Sequence, residues 1–309
     1  MRVVRASAWI LLVLVGAISA AGLVVSLDHP PSGGARPELT ARDAAILQPR
    51  LAALGVPLGR LAAGAQALST AGRDVLVSLR ALELPAATRA LDAGDAALAE
   101  LGFAAADVRA GASGLLAGIG EGEQLPEADR ARVAAIATAG ETSDGLARAW
   151  SEVGRAAAAP AALLTAVGAH EDALARAAGH GRAERWSAAM AALDEASTAL
   201  ATATHVRDEA GRAGRNVVAL DGILTRLSAH DAALRALYAE LEASDGVRTP
   251  TVDSALAAVT AAQAGLAEAR DALGGAVADM GGADITPALL AIEEVRGAME
   301  AALPIGSEP

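Results

Sequence analysis

The sequence predicts an all-α protein: a single N-terminal transmembrane helix followed by an elongated antiparallel bundle of about six to seven heptad-patterned helices. Three observations predict it. Ala6 to Leu27 contains no charged residue and is about long enough to cross a ~30 Å hydrocarbon core as one helix. Beyond it, apolar residues recur at three- and four-residue spacing over most of the chain, which lays apolar seams along helices. No run alternates β-branched residues as a strand would.

The N-terminal segment sets the topology. Arg2 and Arg5 precede it and Asp28 is the first charge after it, so the N-terminus is expected in the cytoplasm and the bulk of the chain outside. Ser19-Ala20-Ala21 before Gly22 resembles a signal-peptidase site, and cleavage there would release a secreted product. The apolar run continues through Leu23, Val24 and Val25, which favours retention as a signal anchor over residues 1–27. Residues 28–37 (DHPPSGGARP) read as a flexible stalk, residues 38–303 as the extracytoplasmic bundle, and residues 304–309 as a disordered tail.

Within the bundle, Leu47, Leu51, Leu54, Leu58, Leu61, Ala65, Leu68, Gly72, Val75, Leu79 and Leu82 alternate four and three apart and predict one long helix. A second is expected from Pro85, a residue suited to a first helical turn, with Leu91, Leu98, Leu101, Ala105, Val108, Ala112, Leu115 and Ile119 as its stripe; Glu121 to Gln124 break it. The third starts at Pro126, carries Pro160 as a kink, and is expected to stop at Gly179-His180-Gly181. The fourth covers about 183–213, with Trp186, Met190, Leu193 and Leu200 on one face. The fifth covers about 217–243, closed by Asp245-Gly246. Thr249-Pro250 opens a sixth with Val252, Leu256, Val259, Leu266, Leu273 and Val277, which Gly281-Gly282 should end. Ile285-Thr286-Pro287 is expected to start a short seventh. Phe103, Trp150, Trp186 and Tyr238 sit at seam spacing and are assigned to the core.

Composition narrows function. More than a quarter of the residues are Ala, aromatics are 2%, there is no Cys, and all 25 basic residues are Arg. With no disulfide to staple it, the exported part must be held by packing; small seam residues allow close helix approach, and each buries little apolar area. A net charge of -12 disfavours nucleic acid, whose phosphates require a basic patch. The bilayer, through residues 6–27, is one expected partner; another envelope protein, met through a helix face, is the second.

Gly154 to Leu174 matches Gly214 to Leu234 at nine of 21 positions, an offset of sixty, and suggests an internal duplication. It yields the one candidate site. His170-Glu171 and His230-Asp231 occupy equivalent places, with both acids at seam spacing, where a carboxylate is costly unless paired or hydrated. Packed side by side, His170, Glu171, His230 and Asp231 would make a speculative set of metal ligands; the plainer expectation is that the acids meet Arg or lie where the seam opens to solvent, and that the His residues lie at the surface. There is no HExxH, Walker loop, GxSxG or di-iron Glu-x-x-His pair, and Gly118 to Gly122 has no strand before it. No cofactor and no enzymatic activity are therefore expected. The leading functional reading is a membrane-anchored, non-enzymatic scaffold or interaction protein of the bacterial envelope. The alternative is an extracytoplasmic ligand- or metal-binding bundle built on the repeated His-acid pairs.

Overall fold

The computed structural model describes residues 37–117 and 125–303. The expected anchor at 6–27, most of the stalk, the 118–122 glycine segment and the 304–309 tail lie outside the described residues. Within them the chain is all-helical, without strands. Eight helical segments follow in order: α1 (Pro37–Ala53), α2 (Gly55–Arg80), α3 (Leu84–Gly114), α4 (Glu127–Arg182), α5 (Trp186–Arg212), α6 (Val218–Ala243), α7 (Pro250–Ala264) and α8 (Leu266–Ala302).

α4 and α8 organise the rest. At 56 residues, α4 runs about 84 Å at 1.5 Å per residue. Its first half closes a four-helix ring with α2, α3 and the end of α8. Its second half closes another with α5, α6 and the start of α8, with α7 packed on α6. The molecule is thus two four-helix bundles sharing two through-going helices. Among the described residues no single helix is long and apolar enough to cross a membrane; α1 and α2 qualify only as a pair bent by 42°. The seam leucines Leu47, Leu51, Leu54, Leu58, Leu61, Leu68 and Leu79 are at most 5% exposed, so that apolar seam is spent on the bundle core.

Small residues do the close packing. The Trp150 side chain, 3% exposed, lies where any Cβ on Gly94 would overlap its ring. Its Nε1 donates to Asp95 Oδ1 at 2.7 Å, which satisfies the one polar atom the indole carries into the core. Gly72 likewise admits Leu289, and Gly64 admits Leu101. Ser69, Arg73 and Arg296 converge on Glu293 between α2 and α8. Those bonds hold the Glu293 carboxyl down at about 2.

Helix boundaries differ from the sequence expectation for identifiable reasons. The first predicted helix is broken at Leu54, because Pro57 has no N–H for the carbonyl of Ala53 and bends the chain there. Leu82 is not the end of the seam. It takes a left-handed φ of 61° and is 36% exposed, while Glu83 N donates to Ser78 O at 2.8 Å, closing α2 in a Schellman-type stop. Gly179 and Gly181 do not end α4. Gly181 is buried and lacks a Cβ because the Tyr238 ring sits against it, and the helix stops only before Glu184, at φ 57°.

The predicted sixth and seventh helices are also redrawn. Gly281-Gly282 and Pro287 lie inside α8, and the break falls earlier, at Gly265. Gly281 is there to meet Pro160 of α4 closely. Phe103, assigned to the core, is 73% exposed, and Leu256 is 47% exposed; both stand on outward faces, the inward face of α3 being filled there by Leu101, Ala104, Ala105 and Val108 and that of α7 by Val252 and Val259. Thr249 caps α7 as expected, its hydroxyl accepting from Val252 N at 3.3 Å, with Pro250 beginning the helix.

Candidate functional site

The two matching segments lie at one level of the second bundle, diagonally across its axis. α4 and α6 occupy opposite corners of the second bundle and run parallel, so residues sixty apart reach the same level along its axis. Gly154 is helical whereas Gly214 turns between α5 and α6 at φ 81°, but downstream of them the registers agree. His170 and Asp231 consequently meet across the bundle axis.

His170 Nε2 stands 2.9 and 3.1 Å from the two oxygens of Asp231. A carboxylate only accepts, so Nε2 carries the proton and donates. His170 is 0% exposed and Asp231 7%. His230 Nδ1 lies 3.9 Å from Asp231 Oδ1, its side chain 12% exposed. Burial by itself pushes the Asp231 carboxyl up, but the hydrogen bonds and charges of His170 and His230 outweigh it, and the group titrates below its ordinary value. The remaining ring nitrogen of His170 is buried with no partner, as is His230 Nδ1 by hydrogen-bond geometry.

Of the four residues singled out from the sequence, three gather and one does not. Glu171 is exposed on the other side of α4, 3.5 Å from Arg270, and so leaves the set. The expectation that the acids meet Arg holds for Glu171 and fails for Asp231, which meets histidine. The expectation that the histidines lie at the surface fails for His170. A single residue step, about 100° around the helix axis, separates the orientations of adjacent His170 and Glu171, so both cannot face the same axis. Among the described residues no group of three or more His, Cys, Asp or Glu is arranged to hold a metal ion. His170 and Asp231 bond to each other directly, and His170 is closed off from solvent.

The pair has a structural consequence. On one side of it the main apolar cluster ends with Val167, Leu200, Leu227 and Leu266; on the other, separate clusters form around Ala177, Leu193 and Tyr238 and around Leu237, Val252 and Val259. The polar layer therefore interrupts the core, close to the level where Gly265 breaks α7 from α8 and where Arg226 binds Glu268 at 3.2 Å.

A different feature opens on the surface. α5 and α6 bound a groove of about 910 Å³ lined by Ser197, Ala201, Thr204, Thr225, Ser228 and Ala229 among others, with Arg207 paired to Asp221 near one end. Sequence reading passed over it, although its signal was present. Ser197, Ala201 and Thr204, and again Thr225, Ser228 and Ala232, recur at three- and four-residue spacing, which is a second stripe of small side chains beside the apolar one.

No family model matches the chain, and no curated protein or solved structure matches it either.

Proposed function

We propose that the protein is a non-enzymatic scaffold of the bacterial envelope, tethered by residues 6–27 and receiving a helix of another exported protein in the α5–α6 groove. The observation that carries this reading is the groove. Two antiparallel helices lined with Ser, Thr and Ala let a third helix approach closely, and the short hydroxyl side chains fold back onto their own helices, as Thr204 does on Leu200 O at 2.9 Å and Thr225 on Asp221 O at 2.7 Å. The hydrogen bonds of these two threonines are thus already satisfied, so a small-faced apolar helix covers them at little cost. The tether rests on the charge-free run from Ala6 to Leu27 and the flanking Arg2 and Arg5.

The chain has no cysteine, so single introduced thiols report position cleanly. Ser228→Cys in the groove and Glu141→Cys on the first bundle, each carrying a photo-crosslinker in intact cells, separate a seated helix from chance contact. A discrete adduct at Ser228, absent at Glu141 and abolished by Ala201→Arg, supports the reading; equal labelling at both positions refutes it. The tether is tested separately. An exported-only reporter after Pro309 is active and the protein resists alkaline carbonate extraction, whereas a soluble product beginning at Gly22 refutes the anchor.

A further inference from the structure

The two prolines inside the through-going helices flank a single pocket. Proline has no N–H to offer the carbonyl four residues before it. Pro160 in α4 therefore frees the carbonyl of Ala156, and Pro287 in α8 frees that of Ala283. Ala156, Ala283 and Pro287 line one surface pocket of about 320 Å³ together with Glu152, Arg155, Arg215 and Asp284.

Arg215 is the anchored member. Its side chain is 15% exposed, its Nε lies 3.2 Å from Asp284 Oδ2, and its Nη1 reaches the freed Ala156 carbonyl at 3.5 Å. Arg155 and Arg215 are the two arginines of the repeated Gly-Arg pair, brought to one place by the parallel course of α4 and α6.

The groups in the pocket sort into a pattern. Asp284 and Arg215 satisfy each other, and the Ala156 carbonyl receives Arg215. What remains is a cation, Arg155, and two acceptors, the Glu152 carboxylate and the Ala283 carbonyl, whose helical donor is missing. The four charges sum to zero. A lone anion would meet the carboxylates of Glu152 and Asp284, and a lone cation would meet both guanidinium groups. A ligand carrying both charges close together meets neither penalty.

We propose that this pocket binds a small zwitterion, a free α-amino acid, with its carboxylate on Arg155 and its ammonium group donating to Glu152 and the Ala283 carbonyl. A single primary ammonium supplies three donors, enough for both acceptors. This site stands apart from the α5–α6 groove, and its success or failure leaves the scaffold reading untouched.

The test is the thermal midpoint of the full-length chain in detergent, followed by tryptophan emission, with glycine and L-alanine as probes and methylamine and acetate as the half-ligands. A ligand that binds only the folded protein raises the midpoint with concentration. The expected result is a saturable rise with either amino acid at millimolar concentration and none with methylamine, acetate or both together. Arg155→Gln and Glu152→Gln, both exposed, abolish the rise and leave the ligand-free midpoint in place. Pro287→Ala supplies the missing N–H to Ala283; it keeps or raises the ligand-free midpoint and weakens the response at least tenfold in concentration. No response to either amino acid up to 50 mM overturns the proposal. So does an equal response to acetate alone, or a response that survives Arg155→Gln and Glu152→Gln.

Discussion

Asp231→Leu leaves His170 fully enclosed with neither ring nitrogen bonded, since its Nδ1 already lacks a partner and its Nε2 loses the 2.9 Å bond to the carboxylate. Leaving one member of a buried, hydrogen-bonded ionisable pair alone costs about 3–5 kcal/mol, and a single desolvated polar group contributes about 1–3 kcal/mol of that. His170→Leu strands Asp231 instead, although His230 at 3.9 Å still faces it, so this change costs less, about 2–3 kcal/mol. Replacing both by Leu removes the His170 and Asp231 polar groups together, leaves only His230 Nδ1 without a partner as in the parent, and joins the main cluster to its satellites, so the double variant falls within about 1 kcal/mol of the parent or exceeds it. The three variants form a double-mutant cycle with a coupling of at least about 3 kcal/mol.

Urea unfolding of the full chain, followed by far-ultraviolet circular dichroism, measures each value. The pH dependence supplies an independent readout. Asp231 titrates lower in the folded protein than in the unfolded chain, so its contribution is complete above the ordinary aspartate value near 3.9 and fades as the pH falls through the folded value. Parent protein therefore loses stability below about pH 4 that the double-Leu variant keeps. Single costs under 0.5 kcal/mol that simply add would refute the reasoning, because such values belong to exposed, independent side chains.

The other predictions concern packing and the Glu293 network. Leu61→Asp, at a site 0% exposed, destabilises by more than about 3 kcal/mol, the loss of a buried Leu plus an unpaired charge; unchanged urea midpoints would mean the seam is not buried. Gly94→Val displaces the Trp150 ring, costs about 1–3 kcal/mol as overpacking does and red-shifts tryptophan emission, which a well-accommodated valine would leave alone. Phe103→Ser, at a site 73% exposed, changes stability by less than about 0.5 kcal/mol, measured by the same denaturation. The Glu293 carboxyl, held at about 2, adds stability that is whole above its ordinary value and is lost as the pH drops toward 2. Glu293→Gln flattens that part of the acid-unfolding profile, and an unchanged profile would exclude the network as its cause.

The sequence by itself determined the helical class and much of the core, because the 3.6-residue period is local: the seam from Leu47 to Leu79 follows the expected stripe, with every one of its positions buried. It also placed the starts of α3 and α7, since Pro85 and Thr249-Pro250 act within one turn of themselves. Tertiary structure decided where helices continue. Gly181, Gly281 and Gly282 carry the local marks of a stop, yet α4 and α8 run through them, because a missing Cβ serves equally for a turn and for the approach of Tyr238 or Pro160. The site was half legible. The repeat at an offset of sixty grouped His170, Glu171, His230 and Asp231, of which three meet and Glu171 does not. Which acid faced the axis depended on the diagonal placement of α4 and α6, a relation between distant segments that no local period encodes. The pocket between Pro160 and Pro287 follows from the same cause. Each proline frees a carbonyl by local chemistry, and only the packing of α4 against α8 brings the two carbonyls to one place.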